Sequence, residues 1–210
     1  MRLAGRKIGV LIESDFYEDE IFYYKHRFPE EGLETHFLTR LWGQPRITFH
    51  GHEYKAPFEA HESFEGMSDE ELRSYDAIVV PSAIVSDRLR YTEDVTKVAP
   101  AVEFIKRAFA EKDIVKGIIC HGMWLVSPAP ELVRGRPVVC HNNLIGDVRN
   151  MGAIYTDQDV VIDGDLVTGR TGGHCHQFAR AIIELLVEKE QGRAAPAQRT
   201  AVTAEAAGGA

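Results

Sequence analysis

The run IVKGIICHG, residues 114–122, ends an apolar stretch on a thiol, an imidazole and a glycine in succession. A thiolate is a strong nucleophile, and a helix N-terminus lowers a thiol from its usual ~8.5 into the reactive range. Cys120 is expected where a strand hands over to a helix, so the unpaired N–H groups of that helix would favour its ionised form. His121 titrates near neutrality and suits general acid–base work. Gly122 permits the tight turn or close packing that a Cβ would resist. The plainer reading is that cysteine is among the most buried residue types and fills the sheet end. The pattern alone leaves both open.

A second chemical cluster is TGGHCHQF, residues 171–178, with His174, Cys175 and His176 adjacent. Thiolate plus imidazole suits borderline metal ions. Adjacent residues rarely hold one ion without further ligands, however, and His121 and His141 are unspecified candidates for that part. A proton-relay pocket, substrate-facing polar groups, and helix capping or packing are the other readings.

Elements of both periods must position these groups. Lys7–Glu13, Tyr75–Ala83 and Ile114–Ile119 are continuous apolar runs, as strands covered on both faces require. Leu33–Thr39 alternates as another strand, and residues 47–60 form an irregular β excursion around Gly51. YEDEIFYYKHRFPEEG carries aromatics at helical spacing with early acids, preceded by Ser14 and Asp15 as capping side chains. Ser68 and Glu71 form a capping box. Thr92–Lys112 is helical in pattern, kinked by Pro100 unless that proline lies near a helix start. RPVVCH is read as a strand, followed by a short helix near Leu144–Met151. Asp163-Gly164 signals a hairpin, and His176–Glu190 an amphipathic helix with Phe178, Ile182, Leu185 and Leu186 on one face. Strands alternating with helices predict an α/β domain, an open doubly wound and mostly parallel sheet with helices on both faces, over residues 1–190. Residues 191–210, rich in Ala and Gly, are expected to form a flexible tail.

The 210 residues carry a net charge of -8, with no basic cluster, so nucleic acid is a poor partner. No segment approaches the ~20 apolar residues of a spanning helix, and Met1–Lys7 lacks a signal-peptide apolar region. Three cysteines (Cys120, Cys140, Cys175) are dispersed without disulfide or CxxC spacing, which points to a reducing cytoplasm.

The stretch IICHGMWLVSPAPELVRGRPVVCHNNLIGDVRNMGAIYTDQDVVIDGDLVTGR closely resembles the PfpI/ThiJ superfamily, whose members carry an xxCHG nucleophile elbow. FYEDE, His50-Gly51 and SDRLRYTED match in collinear order, from about Lys7 to Leu186. The resemblance implies a flavodoxin-like, class I glutamine amidotransferase-like fold with a small β-hairpin excursion. It implies Cys120 as nucleophile, and Glu18 as an acid that serves the thiol only when protonated. It further implies His121 as general acid or base, and Asp87 as an acid that orients that histidine from a neighbouring subunit. A homodimer or hexamer with its active site near a subunit interface is therefore expected.

Two departures stand out. Pro81-Ser82-Ala83 replaces the family's Pro-Gly-Gly, so the backbone donors for an oxyanion survive only if φ need not be positive, with the Ser82 hydroxyl as an extra donor. His174-Cys175-His176 replaces an Asp-containing segment, and with the bulky FYYKH stretch and Trp124 reshapes the pocket around a small-molecule substrate. The expected function is a cysteine-dependent hydrolase or lyase on a small electrophile (glyoxalase III-like, deglycase, or amide or nitrile hydrolysis) with no cofactor. The alternatives are a redox-sensing holdase, and a metal-dependent hydratase or lyase built on the His-Cys-His cluster.

Overall fold

The computed structural model describes residues 1–192 and the backbone of Arg199–Thr200. β1 (Lys7–Leu11) leads through α1 (Glu18–Glu30) to β2 (Glu34–Thr39), then to an antiparallel hairpin of β3 (Ile47–His50) and β4 (Pro57–Ala60). β5 (Glu62–Ser63), α2 (Asp69–Arg73), β6 (Ala77–Val80), α3 (Val85–Leu89), α4 (Pro100–Ala110) and β7 (Val115–Ile119) follow. A 3-10 turn at Cys120–Leu125 precedes β8 (Pro137–Val138), α5 (Ile145–Asn150) and β9 (Ile154–Tyr155). The β10 (Val160–Asp163) to β11 (Leu166–Gly169) hairpin turns at Gly164, φ 57°, and α6 (Cys175–Glu190) and β12 (Arg199–Thr200) close the order.

The main sheet runs β12-β10-β11-β7-β6-β1-β2-β5, parallel except where β10 pairs with β11 and β12. Every residue of β6 and β7 is buried, as the continuous apolar runs require. The chain moves one way from β1 to β2 and the other way to β6, β7 and β11. The crevice between β1 and β6, at the strand carboxyl ends, is therefore the topological switch point where such sheets place ligands. Leu11, Val80 and Ile119 end there, so the loops after them converge.

Some boundaries differ from the sequence reading. The helix expected over 92–112 begins at Pro100, its first turn, where a missing N–H costs nothing. RPVVCH contributes only the two residues of β8, which pair with β9 outside the main sheet. Neither Ser14 nor Asp15 caps α1; Tyr17 is its N-cap, without a side-chain bond. Asp15 instead takes φ 59°, donates its N–H to the His50 carbonyl, and receives the Arg88 guanidinium. The capping box at Ser68 and Glu71 is formed in both directions. The tail expected over 191–210 lies outside the described residues, apart from Gln191, Gly192 and the Arg199–Thr200 pair.

Beneath the switch point, Lys116 of β7 is a charged residue inside the sheet layer, its side chain 1% exposed. Its Nζ binds the Asp165 carboxylate and the Glu111 carbonyl, and Arg136 bonds the other Asp165 oxygen at 2.8 Å. Burial pulls the lysine below its ordinary value, and Asp165 opposes that shift. Removing one partner of such a pair strands the other charge. Asp165→Ala should therefore lower unfolding free energy by about 3–5 kcal/mol in urea titrations, whereas Lys116→Met should be tolerated far better.

Candidate active site

Cys120 opens the 3-10 turn with φ 60°, a left-handed conformation that costs an L-residue about 1–2 kcal/mol. Gly122 makes this elbow possible. A Cβ there would lie 2.8 Å from the Val80 carbonyl oxygen and 3.1 Å from that of Pro81. Its role is close packing on the end of β6, not substrate contact, and its own carbonyl accepts from the Ser86 hydroxyl at 3.3 Å.

The Cys120 sulfur, in a residue only 6% exposed, is reached by the backbone N–H groups of His121, Gly172 and Ala83. Burial pushes the thiol up to about 11, the charge of Glu20 adds to that, and the three N–H donors pull the other way. The lowering expected from a following helix does not dominate, because the following element is only a six-residue 3-10 segment and burial outweighs it.

The acid whose charge acts on the thiol is Glu20, fully buried on α1. Its Oε2 accepts the Ser82 N–H at 3.0 Å and a short bond from the Ser82 hydroxyl. Its Oε1 makes no hydrogen bond among the described residues, and its other polar neighbour is the Tyr24 hydroxyl. Burial pushes this carboxyl up to about 7, against the Ser82 donors. Its charge also raises Cys175, which burial takes to about 12.

Glu18 does not play the part expected of it. Its carboxylate accepts the backbone N–H groups of Glu53 and Tyr54 at 3.0 and 2.8 Å, bonds that hold it below its ordinary value despite burial. Gly51 lies flat on it, where a Cβ would come within 2.0 Å of the Glu18 Cδ. Glu18 therefore anchors the loop between β3 and β4, and His50-Gly51 serves that turn. Ser82 is also reassigned, because its N–H and hydroxyl are both committed to Glu20 and not to an oxyanion. Ala83 keeps a donor aimed at the sulfur, but at φ 63°, the positive angle the sequence left in question.

His121 stacks on Trp124, with ring centroids 5.1 Å apart at 19°, and lies 4.7 Å from the His141 ring. Burial lowers its basicity and His141 lowers it further. His121 Nε2 is buried with no partner among the described residues. Asp87 is exposed on α3, the helix that packs on the elbow, while its neighbour Arg88 is bound to Asp15.

The His-Cys-His segment does not converge on one point. His174 bonds Thr171, Cys175 is buried at the start of α6, and His176 is exposed. Among the described residues no group of three or more His, Cys, Asp or Glu could hold a metal ion. Gly172 packs between Tyr17 and Ser82, where a Cβ would meet the Tyr17 ring at 2.5 Å and the Ser82 hydroxyl at 2.8 Å. Glu20 and Gly172 are thus the site residues that sequence reading missed. A signal for Glu20 existed: Glu20, Tyr24 and Phe28 recur at four-residue spacing on the buried stripe of α1, so that acid had to face inward.

The sequence signature of the DJ-1/PfpI family matches residues 6–185. A curated relative, Deglycase PYRAB04690 of Pyrococcus abyssi, is 31% identical over 179 residues, covering 84% of this chain and 98% of that one. Deglycase PfpI of Pyrococcus furiosus is 30% identical over 181 residues, covering 86% and 99%. Among solved structures, a two-domain protein from Anabaena variabilis with DJ-1/ThiJ/PfpI-like and ferritin-like domains aligns with TM-score 0.74 and 23% identity. That alignment covers 90% of this chain and 49% of the other, so the chain spans about half of it.

Two measurements follow from this geometry. Glu20 titrates near 7 in the folded chain against 4.5 ordinarily, so the folded state keeps a proton that the unfolded chain releases. The stability tied to that proton is complete below about 4.5 and is lost as pH rises through about 7, by about 3 kcal/mol in all. Glu20→Gln should flatten this fall in urea unfolding at pH 5 and pH 8. Ala83→Gly relieves the left-handed strain but gives the unfolded chain more freedom. Its net effect should be a Tm higher by about 2–4 °C.

Proposed function

The chain belongs to the DJ-1/PfpI family, and from that premise we propose that it is a cysteine-dependent enzyme for small carbonyl electrophiles, acting on 2-oxoaldehydes or their adducts. One observation carries the reading. The charge of a buried carboxyl pushed up to about 7 acts on a sulfur in a strained elbow, and three backbone N–H groups near that sulfur favour its ionised form. The relatives named deglycases, near 30% identity over almost their whole length, support the same substrate class.

In this mechanism the proton on Glu20 removes the charge that opposes ionisation of Cys120, and Oε1, the oxygen without a hydrogen bond among the described residues, is the one that carries it. The thiolate attacks the aldehyde carbon, a C–S bond forms, and the carbonyl pair moves onto oxygen, which takes a proton. His121, held neutral by burial and by His141, removes the proton from the former aldehyde carbon and returns one to the neighbouring carbon, while the new hydroxyl gives up its proton and the neighbouring ketone oxygen takes one. The result is a thioester of a 2-hydroxy acid. Water cleaves it, the acid leaves, and the thiol is restored. The Ala83 and Gly172 N–H groups, already at the sulfur, are the nearest backbone donors for developing charge. Trp124 would face the substrate beside them.

Completion of the site by a second copy of the chain belongs to the same reading, with the exposed Asp87 of a neighbouring subunit as the acid that orients the half-buried His121 in a dimer or hexamer. Three unpaired cysteines fit a cytoplasmic setting.

Methylglyoxal should be converted to lactate by the wild type and not by Cys120→Ser, and Glu20→Gln should lose about 100-fold in kcat/KM. Absence of turnover with every 2-oxoaldehyde would sink the proposal. If mild peroxide instead added two oxygens selectively at Cys120 of such an inactive protein, the redox-sensing reading would stand.

A further inference from the structure

The segment that delivers the Gly172 N–H to Cys120 also carries a chain of polar contacts that the chemistry above does not use. Thr171 Oγ1 lies 2.7 Å from His174 Nδ1, and His174 Nε2 lies 3.4 Å from the Asp159 carboxylate. Asp159 precedes β10, and its backbone carbonyl accepts the Arg170 N–H at the carboxyl end of β11, the strand beside β7. Arg170 Nε lies 3.5 Å from the same carboxylate, but its Nη2 is spent on Asp157. With the ring proton on Nε2, the nitrogen nearer the Asp159 carboxylate, the bare Nδ1 accepts the Thr171 hydroxyl. A hydroxyl, an imidazole and an orienting carboxylate then stand in the order that activates an oxygen.

The site needs such a route. Glu20 is sealed off, Cys120 nearly so, and His121 Nε2 is enclosed. The 171–176 segment both touches the sulfur and surfaces at Gly173 and His176.

We propose that Asp159, His174 and Thr171 form a proton relay for the acyl intermediate on Cys120, an inference that rests on the nucleophile reading above. When water attacks the thioester, its proton passes to Thr171 Oγ1 as the threonine proton moves to His174 Nδ1. Asp159 steadies the imidazolium, and on collapse the proton returns to the departing sulfur. The acid is released and the thiol regenerated, with no net change in the relay. His174 is a positioning and proton-transfer residue reaching the adduct through Thr171.

The test uses p-nitrophenyl acetate, which asks only for a nucleophilic thiol. Wild type should release nitrophenolate in a burst and then deacylate. His174→Ala and His174→Gln should still burst but deacylate roughly 100-fold more slowly, with acetyl-Cys120 accumulating by intact mass and free imidazole restoring His174→Ala in part. Thr171→Val and Asp159→Asn should slow the same step. Wild-type deacylation in both His174 variants, or a slow His174→Ala that imidazole leaves unchanged, overturns the relay. A wild type with no burst overturns the nucleophile itself, and the relay with it, before any substitution is made.

Discussion

Glu20 reaches from the first turn of α1 across the crevice to the loop after β6, where one oxygen takes both the N–H and the hydroxyl of Ser82. A carboxyl sealed from water keeps its proton to higher pH, and this one sits where its charge acts on Cys120 and on Cys175. The bond to Ser82 fixes the 81–83 loop, whose next N–H, from Ala83, points at the Cys120 sulfur. One buried acid thereby sets the shape of the pocket and its proton balance together.

The rest of the scaffold holds that arrangement against strain. Cys120 and Ala83 both sit at positive φ, and neither is glycine. Such conformations persist where the surroundings over-determine them. Here Gly122 seats the elbow on the β6 carbonyls, the Gly172 turn closes over Ser82, and the Glu18 anchor fixes the β3–β4 loop beside Tyr17. Below them the Lys116–Asp165–Arg136 cluster ties β7 to the β10–β11 hairpin. Left-handed backbone at both Cys120 and Ala83 is the kind of local conflict expected at functional sites.

Much of this was legible in the residues. Continuous apolar runs identify β6 and β7 as central strands, Asp163-Gly164 marks the hairpin, and the order of elements places Cys120 at a strand end facing a switch point. The acid was harder to read. FYEDE offers three carboxylates within one turn, and choosing among them requires knowing which face of α1 is buried, a tertiary fact hinted at only by the Glu20–Tyr24–Phe28 spacing. Ser82 reads as a spare donor until its partner is known. The thiol was expected to be lowered because the pattern supplies a following helix, but that element is only a six-residue 3-10 segment, and burial outweighs it. His174 stands apart from Cys175 and His176 because neighbouring side chains at a helix start diverge, which adjacency in sequence conceals.

The central claim is that the charge on Glu20 governs the ionisation of Cys120. The most direct measurement is the pH dependence of Cys120 alkylation by iodoacetamide, followed by peptide mass in the wild type and in Glu20→Gln. The wild type should show its rise near 11, where the thiol gives up its proton beside a Glu20 carboxylate already ionised above about 7. The variant, lacking the carboxylate charge, should show a single rise below 11. One step near the free-thiol value of ~8.5 in both proteins would contradict the account.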